Sequence, residues 1–243
     1  MNIWNLPPVA VVLDGAHTLV TALADLLTPL VGVSAAAAAV VVTTLLVRLV
    51  LIPVGVSTAR AEVSRRRLAP EIARLRERYR RDPQTMQRKT MELYGEHGAS
   101  PLAGCLPLLA QAPVLFLVYS LFVLPEVGGH PNALLTEHLA GVSLGDSLVA
   151  LLGAGQAPAA APVFAVLLAV IASAAFFSRR AMLRTTPEAP GLALLSWLPF
   201  ATVVVAAFVP LAAGLYLAVT TSWTVVERAV LRRRVSDRQQ SAR

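Results

Sequence analysis

The sequence predicts an all-α, polytopic membrane protein. Of its 243 residues, 56% are hydrophobic and only 14% are charged, and the mean hydropathy is +0.65. Several apolar stretches approach or reach the length of about 20 residues that crosses a bilayer. The basic residues are confined to some of the segments between these stretches and are absent from others. Together these observations favour membrane-spanning helices with a fixed orientation over a soluble core.

We predict five transmembrane helices from the apolar stretches. Their bounds are residues 31–56, 101–124, 158–178, 191–208 and 211–227. The last two form one apolar block that is too long for a single crossing, and Pro210 with Gly214 offers a turn between them.

The distribution of positive charge predicts the orientation. The expected loop at 57–100 holds eleven of the 21 Lys and Arg residues, the loop at 179–190 holds three, and the tail at 228–243 holds six. The remaining one is Arg48, and residues 1–30 hold none. By the positive-inside rule the N-terminus is outside and the C-terminus is cytoplasmic, which requires an odd number of crossings. A multi-pass protein of the bacterial plasma membrane is therefore expected.

Two segments are expected on the outer side, at residues 1–30 and 125–157. The first carries a polar stripe at helical spacing, with apolar residues on the opposite face. The stripe consists of Asp14, Thr18, Thr21, Asp25 and Thr28. We predict an amphipathic helix in the outer interface, and the alternative is an additional span, which would break the charge rule.

Residues 57–100 are predicted to form a basic helical hairpin in the cytoplasm. Pro70 indicates one helix start, and Asp82 followed by Pro83 indicates an N-cap and first turn of a second helix. The charges either only enforce topology or contact acidic partners such as ribosomal RNA, anionic lipid headgroups or an incoming polypeptide. The candidate contact residues are Arg65, Arg66, Arg67, Arg78, Arg80 and Arg81, with Arg232, Arg233 and Arg234 in the tail. Nothing indicates DNA binding.

Arg48 is the one charge inside an expected span, with Thr44 one helical turn before it. Burying a guanidinium in hydrocarbon costs about 3 kcal/mol on insertion scales, so an intramembrane arginine usually has a wet cavity or a function. The alternative is that its long side chain reaches the interface from near a helix end.

Several spaced motifs resemble the YidC family of membrane-protein insertases, the Oxa superfamily, in the short form of Gram-positive bacteria and actinobacteria. The stretch from Gly98 to Tyr119, GASPLAGCLPLLAQAPVLFLVY, is similar to the start of that family's second core span. The Arg48 span with Pro53 precedes it in the same order, and residues 197–227 are similar to the closing pair of spans. No large outer domain precedes Arg48, unlike in Gram-negative members.

The resemblance implies five core helices around a hydrophilic groove that is open to the cytoplasm and to lipid. Arg48 and Thr44 match groove positions, and Gln111 and Tyr216 occupy the corresponding motif positions. Thr220 and Thr221 stand where relatives often carry Ser-Asn. Gln111 could instead bond between helices, and Tyr216 could be a packing or interfacial aromatic.

The activity that the resemblance implies is insertion and chaperoning of nascent membrane proteins. The partners would be those clients and the ribosome, with the Sec translocon or without it. The protein would be neither an enzyme nor cofactor-dependent, in line with the lack of a phosphate-loop motif and of metal-ligand spacing among the histidines. The alternative is a small-solute transporter or channel. Proton-coupled transport usually places Asp, Glu or His within the spans, whereas here Glu227 sits at the end of an expected span and none lies inside one.

Overall fold

The structure is a computed structural model of the chain. It describes residues 7–97, 130–183 and 196–240, and in addition residues 112, 116, 117, 120, 121, 124, 126 and 127; the side chains at 7–10, 60–62, 64–66, 127, 130, 131, 157 and 232–240 are not described. The chain divides into two compact units. The first comprises Met1–Leu49 and Val114–Val226, and the second comprises Val50–Pro113 and Glu227–Arg243.

All the long elements of the described chain are α-helices. The first half contains α1 (Pro7–Val31), α2 (Ala35–Val50), α3 (Ile52–Arg78) and α4 (Pro83–Glu96). The second half contains α5 (Leu148–Gly153), α6 (Ala157–Leu183), α7 (Leu198–Phe208) and α8 (Leu211–Gln240). A mostly helical fold was predicted and is observed.

Four two-residue strands were not predicted. They are β1 (Glu126–Val127), β2 (His130–Pro131), β3 (His138–Leu139) and β4 (Val142–Ser143), which form two antiparallel pairs, β1 with β2 and β3 with β4. The turn between β3 and β4 places Ala140 at φ 49° and Gly141 at φ 83°. Two successive positive φ values are typical of the hairpin turn whose twist matches that of the strands.

The continuous helix predicted at 31–56 is interrupted at both ends. A 3-10 turn at Gly32–Ser34 separates α1 from α2, with Gly32 at φ 57°. α2 ends at Val50, and Leu51 is the N-cap of α3, whose second residue is Pro53. Because proline lacks an N–H and its ring clashes with the carbonyl of the preceding turn, it fits a helix start better than a helix interior. The prediction of one helix across this proline was wrong.

The core of the first unit is formed by one face each of several helices. On α1, Leu13 and Val20 are buried while Asp14 and Asp25 of the predicted polar stripe are exposed. On α6, the fully buried Phe164 and Ile171 lie seven residues apart and therefore on one face. α6 packs along α7, and α5 contacts both.

The described part of the predicted outer segment is held together by side-chain hydrogen bonds. The Asn132 amide donates to the Leu121 carbonyl and, at 3.0 Å, to the Leu124 carbonyl, and its oxygen accepts from the Leu134 N–H at 3.2 Å. This segment also satisfies the first amides of α8. The Leu211 N–H donates to the Asp146 carbonyl at 2.8 Å, so a helix start that would otherwise lack partners is bonded.

In the second unit, α3 and α4 contact each other across a four-residue connection. The predicted N-cap is confirmed, because the Thr85 N–H donates to the Asp82 carboxylate at 3.0 Å. The predicted helix start at Pro70 was wrong, because Pro70 lies inside α3. The nearby Leu68 is only 2% exposed, whereas Pro70 itself is exposed.

Two helical stretches within the described residues are long and apolar enough to cross a membrane, Val11–Val50 and Pro158–Leu183. α7 has 11 residues and is shorter. α6 extends five residues beyond the predicted span, into the expected loop at 179–190. α8 continues from the predicted fifth span to Gln240, so most of the expected tail is helical.

Candidate functional site

The first wall of the candidate site is one face of α2. Thr44 and Arg48 are four residues apart, and this spacing places them one above the other on a helix. Thr44 is 4% exposed and its hydroxyl donates to the Val40 carbonyl at 2.7 Å, while Arg48 is half-buried in the last turn of α2. The predicted pairing of these two side chains on one helical face is therefore present.

The second wall is a face of α8. Tyr216 is 1% exposed, which makes it one of the most deeply buried large side chains of the described chain. Thr220, one turn later, is also buried. Arg48 lies near enough to the Tyr216 hydroxyl for an electrostatic interaction, so the helical spacing on α2 and that on α8 bring their polar groups into one region.

A cavity of about 220 Å³ lies between these walls. Its polar lining consists of Thr43, Thr44 and Tyr216. The other seven lining residues are aliphatic: Ala16, Leu19, Val20, Val40, Val47, Leu117 and Leu121. The described walls are therefore mainly apolar with a few hydroxyls, whereas the resemblance implied a hydrophilic groove.

Three hydroxyls in this region are buried without a hydrogen bond among the described residues, those of Thr43, Tyr216 and Thr220. The Tyr216 and Thr220 hydroxyls are neighbours, but the pair does not reach hydrogen-bond geometry. Buried polar groups in proteins are almost always paired with protein, water or ligand. The geometry thus fits a polar occupant, water or a polar group of a guest molecule.

The structure does not bring together all the predicted site residues. The Thr221 hydroxyl donates to the Leu217 carbonyl at 2.7 Å, and its side chain lines a different cavity of about 110 Å³. Successive residues of a helix point about 100° apart, and here Thr221 lines the second cavity and not the first. Gln111 lies outside the described residues.

Thr43 was not among the predicted site residues, although it precedes Thr44. Ser178, Thr202 and Thr224, which line the second cavity with Thr221, were not among the predicted site residues either. Threonine and serine are common within apolar helices, where they bond to their own backbone, so their type alone gives no signal. No pattern in the sequence distinguished them from other hydroxyl residues of the apolar helices.

Four of the nine predicted partner-contact residues have described side chains, and all four belong to the second unit. Arg67, Arg78, Arg80 and Arg81 are exposed. The side chains of Arg65, Arg66 and Arg232–Arg234 are not described, and their backbone belongs to α3 and α8.

Two carboxylates of the same unit have perturbed titration. The Thr85 hydroxyl and N–H hold the pKa of Asp82 below its usual value, because both favour the ionised carboxylate. The Lys89 ammonium, bonded to Glu92 at 2.6 Å, likewise lowers the pKa of Glu92. In the part of the chain that the structure describes, no group of three potential metal ligands occurs.

The profile of the 60Kd inner membrane protein family matches residues 26–239 of this chain. Among curated proteins, the chain is similar to the membrane protein insertase YidC of Clostridium perfringens, with 42% identity over 87 residues, which is 35% of this chain and 37% of that protein. The insertase YidC of Campylobacter jejuni is 44% identical over 81 residues, 33% of this chain and 15% of that protein. The insertase YidC of Fusobacterium nucleatum is 36% identical over 80 residues, 33% of this chain and 39% of that protein.

The matched stretches span less than two fifths of the length of each of these relatives. The family profile, in contrast, extends over both units and includes the α2 and α8 walls of the cavity. An inner-membrane family agrees with the two long apolar helices and with the orientation signal in the basic residues. The chain therefore belongs to the 60Kd inner membrane protein family and is a bacterial membrane protein.

Proposed function

We propose that this protein is a membrane-protein insertase and chaperone that moves nascent hydrophobic segments from the cytoplasm into the bilayer. The observation that carries the proposal is the cavity where Thr43 and Thr44 on α2 meet Tyr216 on α8, with Arg48 one turn from Thr44 on the same helical face. These polar groups lie on helices that are otherwise apolar, which is the arrangement expected of a functional intramembrane site.

The polar groups of the site interact with the polar side chains of the client, which are unfavourable in hydrocarbon. A client segment that carries an acidic or amide side chain must cross a low-dielectric layer, where an unsatisfied polar group costs several kcal/mol. Arg48 attracts an acidic group, and the buried hydroxyls of Thr43, Tyr216 and Thr220 supply hydrogen bonds, directly or through water. The barrier to the polar segment is thereby lowered.

The aliphatic walls act on the apolar part of the same client. Val40, Val47 and Leu117 offer a surface on which a hydrophobic segment loses little when it leaves water. The segment then passes sideways into lipid, driven by burial of its own apolar surface, and no nucleotide is consumed by the insertase. The client must bind the aliphatic walls weakly, because a client that bound them more strongly than it binds lipid would not leave.

We also propose the five-span topology with the N-terminus outside. α8 has a stretch of 16 residues without a charged side chain from Leu211 to Val226, about 24 Å of helix, and α7 adds about 16 Å. α1 is about 37 Å long, long enough to span, but its exposed Asp14 and Asp25 favour the interface. The topology can be tested with the variants Asp25→Cys and Met91→Cys, each in a Cys105→Ala background; Met91 is exposed on α4. A thiol reagent that does not cross the membrane should label the two cysteines from opposite sides.

The partners follow from the positions of the charges. The exposed arginines of α3 and of the α3–α4 connection are proposed to contact the ribosome or anionic lipid by charge rather than by base recognition. Arg232, Arg233 and Arg234 on α8 would add to this contact. The protein would act alone or beside the Sec translocon.

The decisive experiment is site-specific photo-crosslinking to a stalled ribosome–nascent chain that carries a single-span client. Probes replace Thr44 and Tyr216, and the control probe replaces Val166, which is 66% exposed on α6. We expect adducts from the two cavity positions, and none from them when the nascent chain is a soluble protein. Equal yields from Val166 and the cavity positions would contradict a specific path.

A second experiment separates the role of Arg48 from folding. Arg48→Lys keeps the positive charge and Arg48→Gln removes it, and both retain a long polar side chain. Insertion of a client with an acidic flank should fall about tenfold in Arg48→Gln and much less in Arg48→Lys. A client with a neutral flank serves as the control, and an equal loss for both clients would exclude recognition of charge by Arg48. Solute flux through proteoliposomes of the protein alone would instead support a channel.

A further inference from the structure

We propose that the end of α6 and the start of α7 form a binding site for the headgroup of an anionic phospholipid. The site is centred on Arg179 and is separate from the cavity of α2 and α8. It requires only that the chain is embedded in a membrane, and it does not depend on the insertase proposal.

Arg179 is held in place by two contacts. Its Nε donates to the Ser196 hydroxyl at 3.3 Å, and its guanidinium carbon lies 4.4 Å from the centroid of the Trp197 ring. Ser196 is fully buried, which makes it a fixed anchor. A guanidinium has five N–H donors in a planar fork, so four donors on the two terminal nitrogens are not used by this bond. A guanidinium that is already held in position binds a phosphate at a lower entropic cost than one on a mobile side chain.

The space beside this arginine is amphipathic. A cavity of about 350 Å³ is lined by Phe176, Arg179, Arg180 and Leu183. These four residues follow the spacing of three and four that forms one stripe on a helix. The two guanidinium groups can bind the phosphodiester of a phospholipid, and the two apolar side chains beside them can contact its acyl chains. In the described chain neither arginine lies within ion-pair distance of a carboxylate, so their charge is not neutralised by a described acid.

The depth of the site in the membrane supports a lipid as its ligand. The apolar part of α6 runs from residue 158 to residue 178, about 31 Å of helix, which is the thickness of the hydrocarbon layer. Arg179 and Arg180 therefore lie where α6 enters the headgroups. Trp197 is 54% exposed and stands at the same level, as aromatic residues do at membrane interfaces.

A simpler explanation is that the two arginines only complement the carbonyl end of α6 and enforce topology. That explanation requires positive charge alone. It does not require one guanidinium to be stacked on an indole and bonded to a buried serine, nor an apolar-walled cavity beside it.

The test uses the full chain, purified and reconstituted in nanodiscs of phosphatidylcholine with increasing phosphatidylglycerol, with lipid retention measured by native mass spectrometry. The wild-type chain should retain phosphatidylglycerol over phosphatidylcholine. Arg179→Gln should weaken that preference about tenfold, and Arg179→Lys should weaken it less, because lysine keeps the charge but loses the fork. Arg228→Gln, an exposed arginine of α8, is the matched control and should leave it unchanged.

Arg180→Gln provides a second variant that does not disturb packing, because Arg180 is exposed and has no described bond to Ser196 or Trp197. It should also weaken the preference severalfold. Equal losses in Arg180→Gln and Arg228→Gln would overturn the proposal in favour of general charge. Retention of phosphatidylcholine to the same degree would overturn it as well, as would a short RNA that displaces the lipid and depends on the same arginines.

Discussion

Leu167 of α6 lies so close to Gly214 of α8 that a Cβ on Gly214 would stand 2.7 Å from Leu167 Cδ2. Leu167 is 5% exposed, so its side chain has little room to rotate away. The absence of a side chain at Gly214 thus permits close contact between α6 and α8. Tyr216, which lines the cavity, follows Gly214 by two residues on the same helix.

We predict that Gly214→Ala destabilises the protein even though alanine is the better helix former. Overpacking of a buried contact costs about 1–3 kcal/mol, which exceeds the gain in helix propensity of about 1 kcal/mol. Denaturant unfolding in detergent measures the change. The matched control is Gly15→Ala on α1, where a Cβ meets nothing within 4 Å and stability should rise. The double variant Leu167→Ala/Gly214→Ala should be more stable than the sum of the two single changes in unfolding free energy predicts, because the smaller residue at 167 relieves the clash. Strict additivity of the two changes would contradict the contact.

The neighbouring residues Thr220 and Thr221 provide a second prediction. Thr220→Val should lower client insertion severalfold, because the Thr220 hydroxyl is buried one helical turn from Tyr216 without a described hydrogen bond. Thr221→Val should leave insertion nearly unchanged, because the Thr221 hydroxyl already donates to the Leu217 carbonyl. The two substitutions are isosteric and adjacent, so each controls for the other. In vitro insertion of one client into proteoliposomes compares them, and the reverse order would refute the assignment of the α8 wall.

Tyr216→Phe is a third prediction and separates function from stability. Removal of a buried hydroxyl that lacks a described partner should leave the unfolding free energy unchanged or raise it by about 1 kcal/mol. Insertion of clients with a polar flank should nevertheless fall about fivefold, since one hydrogen bond to the client is lost. If the variant instead loses stability with insertion, the Tyr216 hydroxyl has a structural role, and the proposed contact with the client is wrong.

The sequence identified those site residues whose relation depends only on helical spacing. Thr44 and Arg48 are four residues apart on one helix, so they share a face wherever that helix lies. Thr220 and Thr221 could not be distinguished, because the choice between them depends on which face of α8 meets α2. That choice is made by contacts between distant parts of the chain, such as Leu167 with Gly214, which no local pattern reveals.

The prolines show the same limit for the fold. The N-cap at Asp82 was predictable because its hydrogen bond spans three residues of the chain. Pro53 and Pro70 have similar local signals, yet Pro53 begins α3 and Pro70 lies within it. The local sequence around these prolines therefore does not decide between a helix start and a helix interior.

The Asp82 cap also gives a prediction for pH. The pKa of Asp82 is lowered in the folded state by the Thr85 hydroxyl and N–H, so the unfolded state binds the proton more readily. The cap's contribution is therefore complete above the ordinary pKa of 3.8 and is lost as the pH falls through the lower folded value. Amide exchange in the first turn of α4 should accelerate over that range. Asp82→Ala should accelerate it about fivefold at neutral pH and abolish the pH dependence, whereas Asp82→Ser should retain the protection without the titration.

Asn132 carries the last prediction, which concerns the outer segment. Its amide donates to the Leu121 and Leu124 carbonyls and its oxygen accepts from the Leu134 N–H, at a position that is only 5% exposed. Asn132→Leu should cost about 1–3 kcal/mol for each buried partner that is left unsatisfied. Asn132→Asp should recover only part of this, because a carboxylate can accept from the Leu134 N–H but cannot donate to the two carbonyls. Unfolding in detergent ranks the variants, and limited proteolysis within residues 133–147 locates the damage. An Asn132→Asp variant as stable as the wild type would show that the two donated bonds do not hold the segment.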